Sequence, residues 1–451
     1  MKKVLKLLLV LALSLSMVFF VGCAGNGDDP APAETEAPDE APEAAEEAPE
    51  PEDDPVVDAD VEPVHLTFQY IGGTVPAQDG VIEEAIAAFE ARYPHITVTT
   101  IHVNWGDGHS QFMNSVMAGT APDIAMLGGT WCVWFMENDF LRPIANYVSQ
   151  ELIDIFIPAG FDIMTRDGVK YGLPWDGCTW GVIYRTDLFE EAGLDGVPTD
   201  WDELREAGQI MLDELGIPLL TVSAWGYEVD DYYLPFLWQA GGEVCVVDEN
   251  GQWVSAMNTP EALMAAEFYM ELIDSGFMPR EITGMDFEAV LNSFVAGDTA
   301  MMVAGMWNIG TLQGMSEMDG LWATAQMWGG PGGRAVLSYP NTVHITTQSE
   351  HPVEAGMFLE FFYNEGFYDQ FTIVSGVFSF TLDFPYTEYA QDPMLRPFIA
   401  DGEFGRNRPA TSLYEEFRIM HFNPGVQAMI EGTITPEEFS VMMEEAFNNL
   451  H

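Results

Sequence analysis

The sequence predicts an α/β fold assembled from parallel β-α-β units, and three observations carry that reading. From Val64 onward, short strand-like apolar runs alternate with stretches of helical apolar spacing. The helical stretches are long enough to return the chain to the start of the next strand. Glycines followed by polar and aromatic side chains occupy the segments after the strands, where α/β sheets bind ligands. With 451 residues, 48% of them hydrophobic and 12% aromatic, the chain can bury two cores of ordinary size. That excludes a small disulfide-stapled module and a chain disordered throughout.

The first 63 residues stand apart from that body. Residues 1–23 carry no acid, and Lys2, Lys3 and Lys6 precede an apolar run from Leu7 to Val21 that is too short for a comfortable membrane span. A signal peptide over residues 1–22 is expected. The run ends in Phe20, Val21, Gly22 and Cys23, which resembles a bacterial lipobox, so Cys23 is the expected lipidation site. Residues 24–63 hold 16 acids, 8 prolines, 9 alanines and no basic residue. Without apolar periodicity and with like charges repelling, residues 23–63 read as the lipidated cysteine followed by an extended tether. Its 40 residues reach about 130 Å at most.

Val64 to Tyr70 reads as the first strand, followed by the turn Gly72, Gly73 and Thr74. Gly80 to Tyr93 reads as a helix, with Ile82, Ala85, Ile86 and Phe89 on one face and Pro94 as its stop. Ile96 to Val103 is the second strand, Gln111 to Ala118 a helix, and Pro122 to Leu127 a short buried strand. Further along, Thr199 or Asp200 caps a helix whose first turn holds Asp202 and Glu203, acids suited to its positive end. Val247 to Trp253 reads as a hairpin turn in which Asn250 and Gly251 supply positive φ.

Charge removes several classes of function. The chain has 72 acids against 15 Lys and Arg, and Lys170 is the one lysine after residue 6. The body from residue 64 holds 56 acids and 12 basic residues, a net charge of −44. Nucleic acid and anionic lipid both demand a basic stripe, which is missing. Cys132, Cys178 and Cys245 lie far apart with no paired spacing, which favours buried thiols over redox or metal work. His102 and His109 flank Asp107 without ligand spacing, so neither a metal nor another cofactor is expected.

The segment from Tyr171 to Phe189, through Pro174, Trp175, Asp176, Gly177, Cys178, Thr179, Trp180 and Gly181, resembles the signature of the family 1 extracellular solute-binding proteins. The resemblance continues through Glu191 to Leu194, Pro198 to Leu204, Trp238 to Glu243, Phe294 to Met301 and Gly305 to Trp307, and ends at Gly432 to Glu438. These are the sugar-binding subunits of ABC importers, with maltose-binding protein among their relatives. The resemblance implies a two-lobed periplasmic-binding-protein fold of type II, each lobe a mainly parallel sheet flanked by helices, with a hinge and an interlobe cleft. Lobe 1 would comprise residues 64–177 and 336–377, and lobe 2 residues 178–335 and 378–451. It further implies a carbohydrate ligand, an oligosaccharide before a monosaccharide, ABC permease subunits as partners, no enzymatic activity, and a monomer held by lipidated Cys23 on the outer face of the cytoplasmic membrane.

Sugars offer C–H faces ringed by hydroxyls, so their sites need flat aromatic platforms edged by carboxylates, amides and arginine. Twelve tryptophans lie beyond the tether. Trp307 matches the family's Gly-x-Trp position, whose ring stacks on ligand, and is the leading candidate. Trp175 and Asp176 face either the cleft or a buried hinge. Thr130 and Trp131 follow the third strand, and Gly73 and Thr74 the first. Trp225, Tyr227 and Asp231 belong to a loop where the family contributes cleft residues. Arg406 pairs either with an internal acid or with ligand hydroxyls or a ligand carboxylate, and Tyr414 falls where relatives place a cleft aromatic. Tyr339 and Asn341 are further possibilities, whereas Trp201 and Trp253 belong to packing.

Two rival readings stand beside this one. The same fold could bind a polyamine, a metal chelate or a peptide, and the acidity of the body is compatible with the first. A surface enzyme acting on polysaccharide would need a carboxylate pair, which 56 acids supply by chance. No G-x-S-x-G, metal spacing or activated nucleophile supports it.

Overall fold

Alternating apolar residues make β1 (Val64–Ile71) a strand with one face wholly buried. The computed structural model describes residues 62–72 and 76–450. The signal peptide, Cys23, the tether, Gly73 and Thr74 lie outside the described residues.

Helix α1 (Pro76–Arg92) begins four residues before the expected Gly80, with Asp79 in its first turn, and β2 (Ile96–Val103) matches its expected bounds. Helix α2 (Trp105–Ala118) begins six residues before the expected Gln111. Its early start brings Gly108 against Ile71 and Trp131, where a β-carbon would crowd their side chains. It ends at Gly119, whose φ of 73° suits a glycine cap. β3 (Ile124–Leu127) is buried throughout, and α3 (Trp131–Glu137) follows it. β1 pairs in parallel with both β2 and β3, as the β-α-β pattern predicts.

The chain then enters β4 (Leu173–Arg185), a strand of 13 residues. Helix α4 (Trp201–Glu214) is capped by Asp200, whose side chain accepts from the Glu203 N–H. β5 (Leu220–Thr221), α5 (Val229–Gln239), α6 (Phe287–Ala296), β6 (Met301–Gly305), α7 (Trp307–Gln313) and β7 (Trp322–Ala325) follow. β8 (Val336–Ile345) leads to α8 (Pro352–Asn364), α9 (Phe367–Ser375), α10 (Arg396–Asp401) and α11 (Ser412–Phe417). In the hairpin before α6, Gly251 alone takes positive φ; Asn250 does not, because the Asp248 carboxylate accepts from the Asn250 and Gln252 N–H groups and shapes the turn instead.

The sheet runs in the order β2-β1-β3-β8-β4-β6-β5, with β7 also paired to β4. The first lobe keeps its parallel character in β1–β3. Around β4 the pairing is mixed: β5 and β6 run parallel, while β6 and β7 are antiparallel to β4. The chain reaches these strands through returns other than a simple β-α-β crossover.

Buried side chains form separate clusters. One joins β1–β3 with α8, α9, Leu173 and Trp175. A second runs from Cys178 and Trp180 through α4, α5 and Val336 to the C-terminal helices. A third joins Ile183, Phe294 and Met302 to Leu395 and Phe398 of the α10 region. Strands β4 and β8 pass from the first cluster to the second side by side. They are antiparallel from Ser338 and Thr179 to Val343 and Leu173, with a bulge between Asn341 and Thr342. Phe378 adds a bridge to Gly177 at the same level. Among the described residues no helix is long and apolar enough to cross a membrane.

Candidate functional site

The ends of β1, β2 and β3, the paired strands β4 and β8, and the starts of α5, α6 and α7 surround one cavity of about 310 Å³. That is the lower end of the ~300–1,000 Å³ range of small-molecule sites. Its position beyond the carboxyl ends of parallel strands is the one α/β topology favours.

Strand periodicity decides which hinge residues reach it. Asp176, Cys178 and Trp180, at alternate positions of β4, line the cavity, as do Tyr339 and Asn341 at alternate positions of β8. Trp175 must therefore point the other way. It is wholly buried, stacked on Phe362 (4.9 Å between centroids, 16°) and packed against Phe68 and Phe371, so this candidate is a core residue. Asp176 remains on the wall, accepting from Asn341 Nδ2 at 2.7 Å.

Trp307 lines the cavity at the start of α7, its ring edge-on to Trp180 at 4.9 Å. The Gly-x-Trp spacing has a steric cause here. A β-carbon on Gly305 would lie 2.0 Å from the indole, so the ring folds back across the strand only because residue 305 has none. Trp105 rests over Gly128 in the same manner, with a β-carbon there 2.6 Å from its ring. Trp105, the first residue of α2, is a cavity residue that the sequence reading misses; the glycine pair Gly128 and Gly129 across from it is the signal that points to it.

The other candidates divide. Trp131 lines the cavity and donates through Nε1 to the Tyr227 hydroxyl, which lines it too. Asp231 lines it, paired with Arg408. Thr130 does not: it is buried and donates to Glu415 Oε1 at 3.1 Å. Tyr414 is buried with its hydroxyl on Asp230 Oδ2 at 3.0 Å, a support beneath the wall. Arg406 is turned away, paired with Glu243 and lying over Trp238, while Arg408, two residues on, reaches the cavity. Trp225 is 54% exposed and off the wall. Glu228, Phe287 and Glu288 line the cavity without having been singled out; Glu228 lies three residues before Asp231, on the same helical face.

A buried ionic network underlies this wall. Asp230, fully buried, accepts from Arg408 Nε (2.8 Å), Arg418 Nη1 (3.0 Å) and Tyr414. Arg418 also pairs with Glu415 (2.9 Å) and sits 3.7 Å over the Tyr227 ring. Cys132, Cys178 and Cys245 are buried free thiols, and no cluster of potential metal ligands occurs among the described residues.

Residues 73–367 match the sequence profile of the bacterial extracellular solute-binding proteins. The chain belongs to that family. A relative from Brucella abortus, named only as a binding protein, is 30% identical over 319 residues, covering 70% of this chain and 75% of the relative. The lactose-binding protein of Rhizobium radiobacter is 24% identical over 54% of this chain and 57% of its own. Among solved structures, the maltose-bound MalE3 of T. maritima matches with a TM-score of 0.76 at 23% identity, over 86% of this chain and all of that one. The solute-binding protein thus has the two-lobed fold of such proteins, and its relatives are binding proteins rather than enzymes.

Burial has raised two carboxyls on the wall of this solute-binding protein. Asp176 is pushed up to about 7 by burial, with Asn341 partly opposing, and Glu228 to about 7 by burial, with Arg408 opposing. Both values lie above those of an unfolded chain. The folded state therefore holds these protons more tightly, and each group destabilises the fold as pH rises from about 4 through about 7. The ligand-free protein is expected to melt at a lower temperature at pH 8 than at pH 5, and Asp176→Asn should shrink that difference. An undiminished difference in thermal melts would show that Asp176 does not contribute.

Proposed function

We propose that this solute-binding protein is the extracytoplasmic subunit of an ABC importer that captures a carbohydrate by closure of its lobes and delivers it to a membrane permease. The observation that carries the reading is the cavity itself, where aromatic rings laid over glycines stand beside carboxylates and the Asn341 amide. Such a wall offers flat apolar faces to sugar C–H groups and acceptors to the hydroxyl edge. Relatives named for binding lactose and maltose support a sugar.

Residues 64–177 with 336–377, and 178–335 with 378–451, are the proposed moving bodies; the separate buried clusters support two bodies, with Val336, Leu337 and Tyr339 packing against the second and Phe380 against the first. Closure follows if the ligand binds the closed arrangement more tightly than the open one. The acid-free, lysine-led N-terminus and Cys23 support export and lipid anchoring to the outer face of the cytoplasmic membrane, with the acidic segment as spacer. Thermal-shift screening of the purified protein against mono- and disaccharides is expected to raise the melting temperature for at least one. If no saccharide does so while putrescine or a peptide does, the carbohydrate reading fails.

A further inference from the structure

The charges on the cavity wall narrow the ligand beyond its being a sugar. Arg408 is the one cation on that wall among the described residues. Its guanidinium is already matched by Asp230 and Asp231. Behind it, Arg418 is matched by Asp230 and Glu415. The charge of each arginine is thus already balanced, and Arg406 is paired with Glu243 off the wall. Three carboxylates on the wall have no such partner. Asp176 is only 5% exposed, and its second oxygen makes no hydrogen bond among the described residues, the first being held by Asn341. Glu228 and Glu288 line the same cavity without an ion pair or hydrogen bond among the described residues.

We propose that the cleft is selective for an amine-bearing saccharide, whose ammonium group is received by the unpaired carboxylates Asp176, Glu228 and Glu288. This rests on the carbohydrate reading above and specifies its ligand class. A neutral sugar brings no countercharge to these carboxyls, whereas an ammonium would hold Asp176 and Glu228 ionised against the burial that raises them. An ammonium supplies both the countercharge and three N–H donors, making the charge-assisted hydrogen bonds that are the strongest of their kind. The raised carboxyls Asp176 and Glu228 are consistent with a wall that lacks a cation until ligand arrives. A uronic acid would bring a fourth negative charge to the same wall and is excluded.

The test is calorimetric titration of the full chain with matched ligands: glucose, glucosamine, N-acetylglucosamine and glucuronate, and the β-1,4 disaccharides cellobiose, chitosan disaccharide and diacetylchitobiose. The amine-bearing member of a series is expected to bind at least about tenfold more tightly than its hydroxyl or acetamido counterpart, the scale of one charge-assisted hydrogen bond. Glucuronate should not bind. Glu228→Gln should remove most of the amine's advantage, read as the ratio of its affinity to that of its hydroxyl counterpart measured on the same variant. Glu288 is exposed in the first turn of α6, so Glu288→Gln offers a second variant that folding defects do not confound. A neutral sugar binding as tightly as its amine overturns the inference and leaves the carbohydrate reading standing. No binding by any amine-bearing saccharide overturns it as well, and if putrescine binds while no saccharide of any charge does, both fall.

Discussion

Trp307→Ala is expected to weaken ligand binding by at least about 30-fold, the loss of a central aromatic anchor worth 2 kcal/mol or more. The protein should still melt cooperatively, since Trp307 is only half-buried and its backbone remains in α7. Gly305→Ala should produce the same loss by another route. The added methyl would occupy space now held by the indole, forcing the ring off the wall although the tryptophan is still present. Calorimetric titration with whichever saccharide raises the melting temperature reads both. Unchanged affinity in Trp307→Ala removes the residue from the site. Weak binding in Trp307→Ala with normal binding in Gly305→Ala would show that the ring's position over the glycine is immaterial.

Asp230→Ala should cost about 3–5 kcal/mol of stability, the range for breaking a buried ion pair from one side. Burial acts to raise the Asp230 carboxyl, yet Arg418 and Arg408 overcome it and hold it below the usual carboxylate range. Without it, two buried guanidiniums face each other, and the Tyr414 hydroxyl loses its acceptor. Denaturant unfolding measures the effect, and a loss under about 1 kcal/mol, the scale of an exposed pair, would mean that water enters and replaces the carboxylate. Ligand affinity should fall as well, because Arg408 belongs both to the network and to the cavity wall.

Much of this architecture was legible because it depends on local patterns. The first three strands and the loops that follow them were readable from periodicity, and Gly72, Gly128 and Gly129 after those strands line the cavity. Side-chain direction at the hinge was not. Alternation puts Asp176 and Trp175 on opposite faces of β4, but which face meets the cavity is set by its register on β8, where Trp175 is the extra residue of a bulge, and no single-strand pattern reveals that register. The arginines were illegible for a different reason. Arg406 and Arg408 lie three residues and one residue before Pro409 in a short irregular stretch, but their partners Glu243 and Asp230 lie 163 and 178 residues away. Only the folded chain says which of the two meets which acid. Tyr414 shows the same limit, since an aromatic near a cleft can serve as wall or as support, and here Asp230 takes its hydroxyl.

The passage of β4 and β8 from the first buried cluster to the second has a consequence for how the molecule comes apart. Leu173 and Val343 belong to one apolar cluster, while Cys178, Trp180 and Val336 belong to another, yet they sit on the same two strands joined by one ladder. Unfolding either core strips side-chain support from half of that ladder and exposes backbone groups that the remaining half cannot satisfy. The two cores therefore lend stability to each other through shared backbone, and loss of one lowers the barrier to losing the second. The ladder of β4 and β8 is therefore expected to melt together with both of the clusters it joins.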